Sequence, residues 1–107
     1  MKLELKDQKS AQLYFDLGQF RAAGVAFTTL LNNYPDSDRG DVYKLMIIKS
    51  YFRYAEMSVE EKKVERFEQV INECYEFVDR FPDSQLRKET EDFLTRSKEN
   101  IKNLTNE

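Results

Sequence analysis

Two stretches of this chain carry the same phrase. The run from Phe20 to Ser37 returns from Phe67 to Ser84, 47 residues on. Each copy opens on Phe and runs through an apolar helix face. Each closes on an aromatic residue followed by Pro-Asp-Ser: Tyr34-Pro35-Asp36-Ser37 in the first copy and Phe81-Pro82-Asp83-Ser84 in the second. Within each copy the apolar residues recur every three or four positions, which is helical spacing. A unit of this length cannot bury its apolar face alone, so it stacks on a neighbour, and such stacks present surfaces to other molecules. The expectation is a helical repeat that binds, not a pocket that catalyses.

Composition supports a thin stack. The 107 residues suffice for one domain or a piece of a longer protein. Hydrophobic residues make up 40% and charged residues 35%, which suits two helical layers with much solvent-facing surface. The 17 basic and 20 acidic residues are interleaved and form no basic stripe, so nucleic acid is not an expected partner. No apolar run is long enough to span a membrane. Met1 to Asp7 is too polar for a signal peptide, and Met1 reads as an added start codon with natural sequence missing upstream.

Catalysis finds little footing. The chain has no His, hence no imidazole base and no common zinc set. Its one cysteine, Cys74, aligns with Phe27 across the repeat and is expected to pack in the core. Carboxylate groups such as Glu60/Glu61 and Glu89/Glu91/Asp92 read as solvated helix faces. Gly18, Gly24 and Gly40 are too scattered for a phosphate loop. No enzyme activity, metal or cofactor is expected.

A coarse reading gives five helices, at about residues 3–17, 20–33, 38–57, 59–80 and 85–103. Gly18 stops the first, and Pro35 and Pro82 end the second and fourth. Ser37 and Ser84 are expected N-caps, and Ser58-Val59-Glu60-Glu61 reads as a capping box. Helix three offers competing stripes through Leu45, Ile47 and Ile48. The last helix carries a narrow stripe (Leu86, Phe93, Leu94, Ile101, Leu104), as a terminal cap should.

The first helix pair resembles the tetratricopeptide repeat. Ala11, Tyr14, Gly18, Phe20, Ala23, Phe27 and Pro35 match its small, aromatic, Gly and Pro positions at every step. The small residues let helices approach, the rings fill the gaps, and Pro35 separates one pair from the next. In the second pair, Gln12-Leu13-Tyr14-Phe15 aligns with Lys49-Ser50-Tyr51-Phe52 at an offset of 37, whereas Phe20 aligns with Phe67 at 47. The difference of ten residues is an insertion near 56–65. Its composition predicts helix extension, roughly three turns or about 15 Å. The expected fold is therefore all-α: a tetratricopeptide-like, right-handed superhelical stack of about five antiparallel helices. It forms one domain, with repeat pairs at 3–34 and 38–81 and a capping helix at 84–104.

A narrower resemblance follows. Tyr14 to Ala23, the Tyr-Pro-Asp-Ser of 34–37, and Ile48 to Ser58 leading into Glu65-Arg66-Phe67 resemble the C-terminal part of the BamD family. These are the tetratricopeptide lipoproteins of the outer-membrane β-barrel assembly machine, and the closest likeness is to members from Bacteroidetes. Ala55, Ser58, Lys62, Arg66 and Phe67 carry its most specific part. The resemblance implies a non-catalytic scaffold on the periplasmic side of the outer membrane, with a lipid anchor expected upstream. The implied partners are BamA-like POTRA domains and sister lipoproteins, with unfolded outer-membrane proteins as a further ligand of the family's N-terminal repeats. Cys74 lies mid-helix and is not the lipidated cysteine.

In a tetratricopeptide stack the first helix of each pair lines the concave surface. By register this selects Gln8, Gln12, Phe15, Lys49, Phe52 and Arg53 for partner binding, with Phe15 and Phe52 also placed to pack between pairs. The inserted stretch adds Glu60 and Lys63. Two other readings fit the repeat: a periplasmic adaptor of the Tol-Pal-associated type, whose repeats are more evenly spaced, and a regulatory module of a larger enzyme.

Overall fold

A computed structural model describes residues 2–106. It contains α1 (Lys2–Asp16), α2 (Phe20–Asn33), α3 (Gly40–Glu56), α4 (Glu60–Arg80) and α5 (Arg87–Thr105), with no strand among the described residues. Each helix packs on the next in chain order, and α3 also touches α5. The result is an all-α stack, consistent with a tetratricopeptide-like fold, with Cα extents of 50 × 30 × 17 Å.

The core falls into two clusters. One joins Ala11, Phe27, Leu30, Leu31, Tyr43 and Ile47. The other joins Leu45, Ile48, Phe52, Ala55, Phe67, Val70, Cys74 and Phe77, with the stripe of α5 laid against it. Tyr51 packs against both and makes the seam continuous. Each fully buried ring or aliphatic chain contributes about 1.5–3 kcal/mol. The competing stripes of α3 are now explained. This helix lies between α2 and α4, so it buries Ile47 toward one and Leu45 and Ile48 toward the other cluster. Lys44, 7% exposed, also lies within α3, and its Nζ donates to the carboxylates of Glu73 and Glu76 on α4. Burial lowers the affinity of this amine for its proton, but the two carboxylates outweigh it and leave the pKa raised.

The expected helix stop is found at Gly18, and a second glycine, Gly24, serves close packing. Gly18 has φ +77°, and the amides of Gly18 and Gln19 donate to the carbonyls of Phe15 and Tyr14. That is a Schellman closure, which needs a left-handed residue. At Gly24 a Cβ would come 2.7 Å from the Tyr51 ring, so this position lets α2 and α3 approach.

The insertion is helical but shared out differently from the expectation. α4 has 21 residues where α2 has 14, and α3 has 17 where α1 has 15. The added length on α4 is therefore about two turns rather than three. The other three residues extend the end of α3, since Asp16, the last residue of α1, aligns with Arg53 and α3 runs on to Glu56; the Met57–Val59 turn is no longer than Leu17–Gln19.

The serine caps need correction. α3 starts at Gly40 and α5 at Arg87, each three residues after its serine, and neither has a side-chain cap. Ser37 Oγ instead accepts from the Arg39 amide and donates to the Glu4 carboxylate on α1. Ser84 Oγ accepts from the Leu86 amide at 3.0 Å and donates to Asp41 Oδ2 on α3 at 2.6 Å. Each Pro-Asp-Ser turn is thus latched to the start of the helix two elements back. Ser58 is no N-cap either: α4 begins after Val59 with no side-chain cap. A serine hydroxyl competes well for carbonyls one helical turn back, and Ser58 Oγ donates to the Tyr54 carbonyl at 2.6 Å.

Candidate partner-binding clefts

Two clefts of the stack lie one on each side of a shared aromatic wall. Phe15 and Phe20 meet edge to face at 5.1 Å, and the Arg53 guanidinium lies 4.9 Å over the Phe20 ring. On one side of this wall lies a cleft of about 430 Å³ between α1, α3 and α5, lined by Phe15, Lys49, Phe52, Arg53, Glu56, Phe93 and Arg96. Phe52 and Phe93 meet edge to face at 5.2 Å and form an aromatic floor, and Arg96 lies over both rings. Each cation here has a carboxylate. Lys49 Nζ is 3.0 Å from Glu89 Oε2, Arg53 Nε is 3.3 Å from Glu56 Oε1, and Arg96 Nη1 is 3.9 Å from Asp92 Oδ2. Such solvent-facing pairs are weak and exchange partners readily.

Four residues selected by register meet in this cleft: Phe15, Lys49, Phe52 and Arg53. Phe52 is not a free contact residue, however. It is 2% exposed and held between Phe67 and Phe93, so it supplies floor rather than reach. Gln12 stays outside the lining, and its Nε2 donates to Asp16 Oδ1 at 2.9 Å. Arg96 was missed because α5 reads as a plain cap. Its signal was present: Arg96 stands 47 residues after Lys49, the same offset as the Pro-Asp-Ser phrase.

On the other side lies a larger cleft of about 780 Å³ between the Gly18–Ala22 segment and Tyr54, the Met57–Val59 turn, Lys62 and Arg66. The two added turns of α4 form its outer wall. Arg66 lies 4.3 Å over the Tyr54 ring, and its Nη1 donates to Ser58 Oγ at 2.7 Å. Glu60 and Lys63, selected from the insertion, line neither cleft and pair with each other at 3.2 Å. The insertion does build a cleft, but through Lys62 and Arg66, on a different face of α4.

Cys74 is fully buried, and burial pushes its thiol up to about 12, so no thiolate nucleophile forms near neutral pH. Among the described residues no three of His, Cys, Asp and Glu converge where a metal ion could sit. No described helix is long and apolar enough to cross a membrane. No protein-family model matches the chain, and no curated protein matches it.

Proposed function

We propose that this chain is a non-catalytic protein–protein interaction scaffold, a BamD-like tetratricopeptide module of outer-membrane β-barrel assembly. It works on the periplasmic face of that membrane and docks on BamA-like POTRA domains or sister lipoproteins. The observation that carries this reading is the convergence of Phe15, Lys49, Arg53 and Arg96 on one concave cleft. Lys49 and Arg96 are equivalent positions of successive repeats. A partner acid that displaces Glu89 or Asp92 gains a cation already positioned over an aromatic floor. Affinity then comes from the buried rings and specificity from the rim charges.

Calorimetry of the chain against an isolated POTRA domain tests this. Saturable binding that weakens as salt is raised is expected, with about a tenfold loss in the Lys49→Glu/Arg96→Glu variant. No heat of binding at high protein concentration removes the proposal.

A further inference from the structure

The cleft built by the insertion has free charge that the concave cleft lacks. Among the described residues no carboxylate lies within ion-pair distance of Arg66 or Arg21, which flank it, whereas Lys49, Arg53 and Arg96 each have one. Arg66 is held in place by the Tyr54 ring and Ser58, so little side-chain freedom remains to be lost when an anion arrives. Beside it stand Met57 and Val59, 66% and 63% exposed, the two most solvent-facing large apolar residues of α3 and its turn. One fixed guanidinium, with a second exposed one lining the same cleft and apolar side chains beside them, fits a partner of complementary pattern. We propose that this cleft is a second docking surface, which takes an extended acidic segment of a partner protein, with an apolar side chain next to a carboxylate.

In this arrangement the carboxylate sits between Arg66 and Arg21, and the neighbouring apolar side chain covers Met57 and Val59. An anionic membrane surface fits less well. Glu56, Glu60, Glu61 and Glu65 are all exposed around the same end and would face the headgroups, while the guanidinium lies inside a trough against Tyr54. This surface stands apart from the concave cleft and does not depend on docking to a POTRA domain.

The test uses a fluorescein-tagged peptide, Glu-Leu-Asp-Phe-Glu-Leu, and its neutral counterpart with Gln and Asn for the acids. Saturable anisotropy is expected with the acidic peptide, and binding weaker by about tenfold with the neutral one. In a methyl spectrum of labelled methionine, the Met57 signal should move while that of half-buried Met46 in the core stays in place. Arg66→Glu should lose binding by a similar factor, and Arg66→Lys should restore most of it. Arg66 also braces Tyr54, so Arg21→Glu, at an exposed position, repeats the test without disturbing the packing. Lys49→Glu/Arg96→Glu should leave peptide affinity unchanged. Equal binding of the neutral peptide, an unmoved Met57 signal, or no effect of either charge reversal would sink the proposal. So would capture by phosphatidylglycerol vesicles in place of the peptide. A chain that takes the peptide and ignores the POTRA domain keeps this inference and removes the preceding one.

Discussion

The two ends of the stack are made differently. At one end the Pro-Asp-Ser turns close on polar latches: Ser37 and Tyr43 donate to Glu4, Tyr34 Oη reaches Asp7 Oδ2 at 3.4 Å, and Ser84 donates to Asp41. At the other end the Gly18 and Met57–Val59 turns leave a cleft and expose Leu17, Met57 and Val59. One end holds successive helix pairs in register; the other leaves apolar side chains facing solvent beside a cleft. The difference teaches that an even repeat can carry uneven duties when the helices flanking one turn are lengthened. The latches themselves are uneven too. The position equivalent to Tyr43 on α5 is Thr90, whose buried hydroxyl has no hydrogen-bond partner among the described residues.

The contrast breaks most visibly in the core of the latched end. Tyr43 is fully buried and packs 6.5 Å from Phe27, ring centre to ring centre. Tyr43→Ala should cost about 3–5 kcal/mol in urea unfolding. A loss no larger than that of Met57→Ser would show that the two ends are alike after all.

The second latch should respond more modestly. Ser84→Ala leaves the Asp41 carboxylate and the Leu86 amide without that partner and should cost about 1 kcal/mol. Thr90→Val removes an orphaned hydroxyl at similar volume and should be neutral or stabilising by up to about 1 kcal/mol. If the valine variant is clearly less stable, Thr90 has a partner and the repeats are more alike than described.

At the open end, Met57→Ser and Val59→Ser should change stability by no more than about 0.5 kcal/mol in the same experiment. A larger loss would mean that these side chains pack rather than present.

The smallest effect concerns pH. Hydrogen bonds from Ser37, and then from Tyr43, hold the Glu4 carboxyl below its ordinary value of 4.5 in the folded chain. A carboxyl with a depressed folded pKa stabilises above its unfolded pKa and loses that contribution as pH falls through the folded value. Glu4→Gln should therefore lessen the loss of thermal stability between neutral and acid pH. An unchanged acid limb would unseat the first latch.

Much of this could be read from the residues, for local reasons. Helix positions follow from apolar spacing, and the stop at Gly18 follows from the one conformation that only glycine enters freely. Cys74 is fixed as a core residue by its alignment with Phe27, and both are buried. The serines were misread because a hydroxyl near a helix start offers the same sequence signal whether it caps that helix or reaches across to another. Phe52 was read as half contact, yet α5 folds Phe93 and Arg96 over it. In the insertion the chosen pair, Glu60 and Lys63, is satisfied within α4, and the residues that face the cleft lie elsewhere on the helix.

By itself the sequence determined which segments are helical, where they stop, and that their stripes must share one seam, because spacing and turn chemistry act over a few residues. Tertiary structure alone decided what each exposed or polar group meets. Lys44 could become a buried cation only once α4 brought Glu73 and Glu76 beside it, and the direction of Arg66 was fixed only once Tyr54 and Ser58 stood against it. Contacts between residues far apart in the chain depend on how helices cross, and no local pattern encodes that crossing.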